Sequence, residues 1–262
     1  LADTGAWVVY VDPSATILEP RHQRAEQSDP DLAWGSTRKG IGAARADRIH
    51  RSALVWGDHK RFAGKADPWR TMDLVRDYLQ RNQLVQIEAA QGYGLGLHTE
   101  FYPKTTSADC RAIDALADVG LSPWTRVNRT VPDLEVWVVI RPNPIRVAGD
   151  SGPLAGETSW EELGFPPERT TVTNKVRRVG AWDGELVRAA VAANGGPAKN
   201  VRLWLNMADQ IAPSIAGQTE FPFDLPFDER SRLTDFIQTV ERDSGARIGA
   251  LGTGPSTAVI WR

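Results

Sequence analysis

Apolar positions along the chain follow two rhythms. Short apolar runs, several of them rich in β-branched residues, occupy 6–11, 84–88, 134–141, 201–205, 247–251 and 258–261, and they predict strands. The unbroken centre of the third run, 136–140, predicts a buried strand. Between these runs the apolar residues recur at helical spacing. Leu74, Val75 and Leu79 mark a helix over 73–82, and 109–119 reads as a helix ended by Gly120. Leu186, Val187, Ala190 and Val191 share one face behind Asp183 as N-cap and stop at Asn194-Gly195-Gly196. Leu233, Phe236, Ile237 and Val240 fall at i, i+3, i+4 and i+7 behind a capping Asp228 and stop at Gly245. Strands alternating with helices predict an α/β fold with a largely parallel central sheet flanked by helices. Two stretches break the rhythm. Residues 147–167, rich in Gly, Pro, Ser and Glu, predict a long loop with one helical turn at 160–163, and 213–226 predict a second irregular connection.

The composition narrows the classes. With 262 residues, 41% hydrophobic and 24% charged, the chain is globular and is expected to form a single α/β domain over 1–262. A net charge of −2 excludes nucleic-acid binding by bulk charge. Cys110 is the sole cysteine, and His22, His50, His59 and His98 have no metal-ligand spacing, so no metal site is expected within the chain. A reducing, cytoplasmic setting is the expectation. The longest clean apolar run, 6–11, is too short to cross a membrane, and no signal peptide opens the sequence. The chain starts at Leu1-Ala2-Asp3 without a methionine, and a further N-terminal segment is expected.

Six segments and one arginine row carry candidate chemistry. Gly35-Ser36-Thr37-Arg38-Lys39-Gly40-Ile41-Gly42 joins glycines, hydroxyls and two cations, which suits a phosphate but lacks P-loop spacing; a Gly-rich surface turn is the alternative. Arg45, Arg48 and Arg51 follow at spacing three, near one helical face, as an anion-binding row or a solvated one. Ile87-Glu88-Ala89-Ala90-Gln91-Gly92 ends a predicted strand where parallel sheets bind ligands. Tyr102-Pro103-Lys104-Thr105-Thr106-Ser107 then places three hydroxyls before a helix start, either for an anion or for ordinary capping by Ser107 or Asp109.

Thr170-Thr171-Val172-Thr173-Asn174-Lys175-Val176-Arg177-Arg178 mixes hydroxyls with three cations and favours a carboxylate or phosphate. Asn206-Met207-Ala208-Asp209 follows a predicted strand and matches an N-K-x-D guanine reader with Met for Lys; a carboxylate there offers two acceptors to the two donors on guanine. A plain Asn/Asp turn is the alternative. Leu251-Gly252-Thr253-Gly254-Pro255 would present backbone groups to a flat ligand.

Taken in order, these segments resemble the adenylosuccinate synthetase family over nearly the whole chain. Residues 35–42 resemble its G-T-T-G-x-G-x-G-P, 88–92 its E-G-A-Q-G, 102–107 its T-Y-P-x-V-T-S, Arg146-Val147 its T-R-V-G, 172–183 its T-T-G-R-x-R-R-x-G-W-x-D, and 252–255 its S-T-G-P. The short stretch from Gly57 to Leu84 is similar to the compact archaeal and phage branch.

The resemblance implies a P-loop-NTPase-like fold and a Mg2+-dependent ligase. Such a ligase phosphorylates the 6-oxygen of IMP with GTP and then displaces that phosphate with the amino group of L-aspartate. It implies IMP contacts from Thr37, Arg51, Gln91, Thr106 and Lys175, Arg51 reaching across a homodimer interface. Aspartate contacts would come from Thr173, Lys175 and Arg177. GTP contacts would come from Arg177, Asp209, Gly252, Gly254 and Pro255. Lys175 replaces a family Arg, Met207 a Lys, Arg38 a Gly and Val172 a Thr. Phage relatives that use dGMP and ATP make those two nucleotides the alternative pair.

The family's catalytic Asp and His lie in a W-G-D-E-G-K-G-K loop and a G-H-T. Neither motif occurs in these residues, and Trp56-Gly57-Asp58-His59-Lys60 is only an echo of the first. The chain is therefore expected to be the C-terminal larger part of the fold, with the rest cut off or on another chain. The alternative is a catalytically inactive nucleotide-binding or interaction protein on the same fold.

Overall fold

The computed structural model describes residues 9–30, 37–59, 70–171, 173–198 and 200–261. One domain is expected over 1–262; by contact the chain clusters into two compact units. The first comprises 1–90, 106–108 and 113–132, and the second 91–105, 109–112 and 133–262. Each has its own buried apolar side chains, Ala44, Val75, Leu116 and Val127 in the first and a larger sheet-centred cluster in the second.

The first unit is helical. It contains α1 (Pro20–Ser28), α2 (Ile41–His50), α3 (Thr71–Gln80) and most of α4 (Ala112–Asp118). Pro20 starts α1, where a missing N–H costs nothing. The Nδ1 of His22 accepts the Glu19 N–H (3.0 Å), and its Nε2 meets Asp47 of α2 at 3.0 Å. The α3 start is held by a distant carboxylate: Asp12 accepts from the Thr71 N–H at 2.8 Å. Gly120, at φ +73, turns the chain after α4 against Met72.

The second unit is built on a four-stranded sheet of order β1-β4-β5-β6, with β1 (Val136–Ile140), β4 (Val201–Leu205), β5 (Arg247–Gly254) and β6 (Thr257–Ile260). The first three of these strands run parallel, and β6 returns antiparallel to β5. Helices α5 (Gly184–Ala193) and α6 (Phe227–Ser244) share a core cluster with the sheet, in which Leu203, Leu205 and Leu251 of the strands and Leu233 and Val240 of α6 are each at most 1% exposed. Burying such a side chain contributes about 1.5–3 kcal/mol. Asp183 caps α5 through the Leu186 N–H at 2.9 Å, as the sequence predicts. A two-stranded antiparallel ribbon, β2 (Ile145–Arg146) with β3 (Arg178–Val179), joins the long loops.

Several sequence expectations change. Residues 84–88 form no strand; Leu84 is 98% exposed, and among the described residues nothing pairs with this run, so its backbone groups have no ladder. Of the run 6–11, residues 6–8 lie outside the described residues and 9–11 carry no strand. The helix expected from 109 starts at Ala112. Both Asp109 oxygens are engaged by His98 (N 3.1 Å, Nδ1 2.7 Å), while Asn194 Oδ1 accepts the Ala112 N–H at 2.7 Å. The expected cap Asp228 sits inside the first turn of α6 and pairs with Arg232 at 2.9 Å.

Candidate functional site

In the first unit the candidate phosphate loop enters α2. Gly35 and Ser36 lie outside the described residues; Thr37 is exposed, and Arg38 (φ 49) and Gly40 (φ 88) are left-handed. The buried Glu26 carboxylate accepts from the N–H groups of Gly40 (2.6 Å), Gly42 (2.7 Å) and Ala43 (3.2 Å). A Cβ on Gly42 would lie 3.1 Å from Glu26 Oε1 and 3.9 Å from Ser107 Cβ. The Thr106-Ser107 segment thus packs at the start of α2, close in space to the loop that Thr37 enters. Arg45 and Arg48 are exposed on α2, whereas Arg51 leaves the helical face as its left-handed C-cap, φ 63. Sequence spacing alone misplaces Arg51, because the helix ends at His50.

In the second unit, three of the sequence-predicted segments meet at the carboxyl ends of the parallel strands, where such sheets bind ligands. Asn206 follows β4 and donates its N–H to Ile140 O at the end of β1 (2.8 Å). Gly252 faces it so closely that a Cβ would lie 2.4 Å from Asn206 Oδ1. Arg141, directly after β1, grips Glu168 through two bonds of 2.5 and 3.1 Å, and Glu168 O accepts the Arg177 N–H at 2.8 Å. The hairpin holding Thr173, Lys175 and Arg177 is thereby tied to the same end of the sheet.

That hairpin turns around Thr170, whose buried hydroxyl bonds Thr173 Oγ1 (2.5 Å) and accepts from the Lys175 N–H (3.1 Å). Thr173 and Lys175 are exposed at its tip, with Asn174 left-handed between them, and Val172 lies outside the described residues. Arg177 is half-buried, its carbonyl accepting from Trp160 Nε1 at 2.7 Å. Of the three cations in this run, Arg178 is structural: it binds Glu157 bidentately (2.6 Å each) and Gly152 O (2.8 Å). Arg146 is structural too, buried and donating to Gly94, Lys104 and Ser151 carbonyls.

Asp209 sits in the short helical turn Ala208–Gln210, which Met207 opens in the left-handed region. Burial pushes its carboxyl above the ordinary value, opposed by its own backbone N–H. The Thr253 hydroxyl is spent on Gln218 O and Thr257, leaving Gly254 and Pro255 at the open turn. Two buried polar atoms here have no hydrogen-bond partner among the described residues, Arg141 Nε and Gln210 Oε1. Native structures rarely leave such atoms unpaired. Gln91 is exposed and left-handed, φ 63, after a run that is not a strand.

Among the described residues no three His, Cys, Asp or Glu side chains converge where they could share a metal ion, so these residues supply no ligand set for the expected Mg2+. Nor is any described helix long and apolar enough to cross a membrane. Sequence reasoning missed Glu26, Arg141 and Glu168, which hold the candidate segments in place. Their partners are distant in sequence or are backbone groups, so no local spacing marks them.

Comparison with known proteins bears on the family and the fold. The adenylosuccinate synthetase family model matches residues 65–209. An adenylosuccinate synthetase of Pyrococcus sp. (strain ST700) is 35% identical over 255 residues, covering 94% of this chain and 68% of that protein. The N6-succino-2-amino-2′-deoxyadenylate synthase of Vibrio phage phiVC8 is 36% identical over 180 residues, 65% of this chain and 50% of its own length. The solved succinoaminodeoxyadenylate synthetase of cyanophage S-2L, bound to dGMP and to dATP as an energy donor, superimposes with a TM-score of 0.72 at 29% identity, covering 94% of this chain and 66% of its own. The chain thus spans about two thirds of the length of the archaeal and cyanophage relatives. Its fold, its ordered motifs and its identity to these proteins place the chain in the adenylosuccinate synthetase family.

Proposed function

We propose that the chain supplies the substrate-binding, C-terminal larger part of a purine-nucleotide ligase that joins L-aspartate to the 6-position of IMP or dGMP with hydrolysis of a nucleoside triphosphate. One observation carries the reading. The turn 206–209, Gly252 and the 168–177 hairpin converge at one end of the sheet, beside two unpaired buried polar atoms. In this reading Thr37 and Thr106 donate hydroxyls to the nucleotide 5′-phosphate, Gln91 contacts the nucleotide near its base, and Arg51 serves the partner's site in a homodimer. Thr173, Lys175 and Arg177 hold the aspartate carboxylates, with Lys175 also at the nucleotide ribose and Arg177 also at the triphosphate ribose. Asp209, Gly252, Gly254 and Pro255 read the triphosphate's purine. The triphosphate arrives as its Mg2+ complex in a cytoplasmic reaction. Attack on a phosphorylated 6-oxygen by the aspartate amine releases the phosphate.

Met207 in place of the family's Lys, together with the similarity to phage enzymes, favours a second reading in which dGMP and ATP replace IMP and GTP. Titration calorimetry of Thr37→Ala and Thr106→Ala with IMP and with dGMP tests the site and separates the two acceptors. Losing a hydrogen bond to a charged phosphate costs about 1.5–3 kcal/mol, a tenfold to hundredfold loss of affinity. Unchanged affinity for both nucleotides would sink the assignment.

A further inference from the structure

The amide groups at the start of α2 look like an anion site, but the chain fills that site itself. Glu26 is 7% exposed, and both its oxygens are engaged: Oε2 by the Gly40 N–H (2.6 Å), and Oε1 by the Gly42 (2.7 Å) and Ala43 (3.2 Å) N–H groups. These are the amides that helix geometry leaves without internal partners and aims at negative charge. The fit is tight. A Cβ on Gly40 would lie 2.7 Å from Gln23 N and 2.8 Å from His22 C, backbone against backbone, so α1 presses directly on the loop. At the other end of α1, Asp47 of α2 is held by His22 (3.0 Å) and Arg21 (2.6 Å). Arg38 Nη1 reaches Gln27 O, the residue after Glu26, at 3.4 Å. The Ser107 side chain packs against the same Gly42.

We infer that Glu26 is a positioning residue for nucleotide binding: a built-in anion that fixes the loop after Thr37 and the packing beside Thr106 before any ligand arrives. The inference rests on the reading of Thr37 and Thr106 as phosphate contacts. It also directs where the phosphate goes. With the helix amides occupied, the 5′-phosphate is bound by hydroxyls and side-chain cations around the loop and does not sit on the α2 terminus. Pre-forming the loop removes an ordering cost from binding.

The test is Glu26→Gln in the full chain, titrated with IMP and with inosine, which lacks the phosphate. The amide NH2 of Gln faces N–H donors and cannot replace the second oxygen, so the cradle opens. IMP affinity is expected to fall about tenfold or more, the size of one charge-assisted bond, while inosine affinity holds. Unchanged IMP affinity, or equal losses for IMP and inosine, would overturn the inference. Thr37→Ala in parallel separates the two claims. If Thr37→Ala leaves IMP affinity unchanged, the phosphate assignment fails; if Thr37→Ala weakens IMP while Glu26→Gln does not, the positioning role alone fails. A measurement on the unaltered chain stands even if the variant does not fold. The amide resonances of Gly42 and Ala43 should move little when IMP is added, because Glu26 keeps them. Shifts as large as those expected from a direct phosphate bond would show the ligand replacing Glu26 and would refute the proposal.

Discussion

Replacing Gly252 with alanine adds one carbon and two hydrogens, a net CH2, at a closely packed point of the second unit. The new Cβ would sit 2.4 Å from Asn206 Oδ1, 3.1 Å from Asn206 Cα and 3.1 Å from Trp204 Nε1. Ordinary contact begins near 3.4 Å, so the Asn206 amide must retreat by about 1 Å and its backbone by a few tenths. Rotation of the side chain relieves only the first of these overlaps. The second is backbone, fixed by the Asn206 N–H bond to Ile140 O. Overpacking of this kind costs about 1–3 kcal/mol. In a chain of this length that corresponds to a fall in Tm of about 2–10 °C. The displaced backbone leads directly into Met207 and Asp209, so the turn proposed to read the triphosphate base moves with it. Misplacement near 1 Å can lower binding or turnover by about a hundredfold. Differential scanning calorimetry gives the first quantity, and titration with GTP and ATP beside IMP gives the second. The expected result is a lower Tm, a loss of triphosphate affinity and an IMP affinity within twofold of the parent. A lower Tm with triphosphate affinity intact would refute the placement of the base at this turn, and no change in either would refute the packing argument.

Further outcomes follow from other groups. Asp209→Asn should weaken GTP by tenfold or more and ATP much less, since guanine offers two donors to a carboxylate and adenine one; equal losses, or a loss for ATP alone, would point to adenine. Because burial raises the folded-state pKa of Asp209 above 3.8, folded protein holds that proton longer and stability declines as pH rises through this window; the Asn variant should therefore show a higher Tm than its parent near neutral pH. Asp12 shifts the other way. Partial burial opposes the shift, but hydrogen bonds from Ser14 and Thr71 outweigh it and hold the carboxyl at about 2. Its contribution, about 1–2 kcal/mol after allowing for solvent screening, is present above pH 3.8 and lost as pH falls towards 2; Asp12→Asn should remove it, and parallel acid-unfolding curves for the two proteins would contradict this. Light scattering at tens of micromolar, a typical working range for specific association, should find a dimer that Arg51→Ala leaves assembled but with weaker IMP binding; a strict monomer would remove Arg51 from the site.

Local pattern determined much of this protein. The 201–205 strand lies where its apolar run predicts, α5 starts behind Asp183 and α6 stops at Gly245, because each depends on residues a few positions apart. The ordered motifs also named the family, since motif order survives where single motifs are weak. Tertiary structure decided the rest. The 84–88 run is apolar enough for a strand, but a strand needs a neighbour to take its hydrogen bonds, and sequence does not say whether one is present. Asp109 is a good helix cap by type, yet its carboxylate is drawn to His98, and the helix starts three residues later. Arg177 and Arg178 are adjacent cations of one motif; only folding spends Arg178 on Glu157 and leaves its half-buried neighbour for the proposed site. Glu26 shows the limit most clearly. Nothing around it in the sequence marks a ligand for three amides between 14 and 17 residues away, because that contact exists only once α1 has packed on α2.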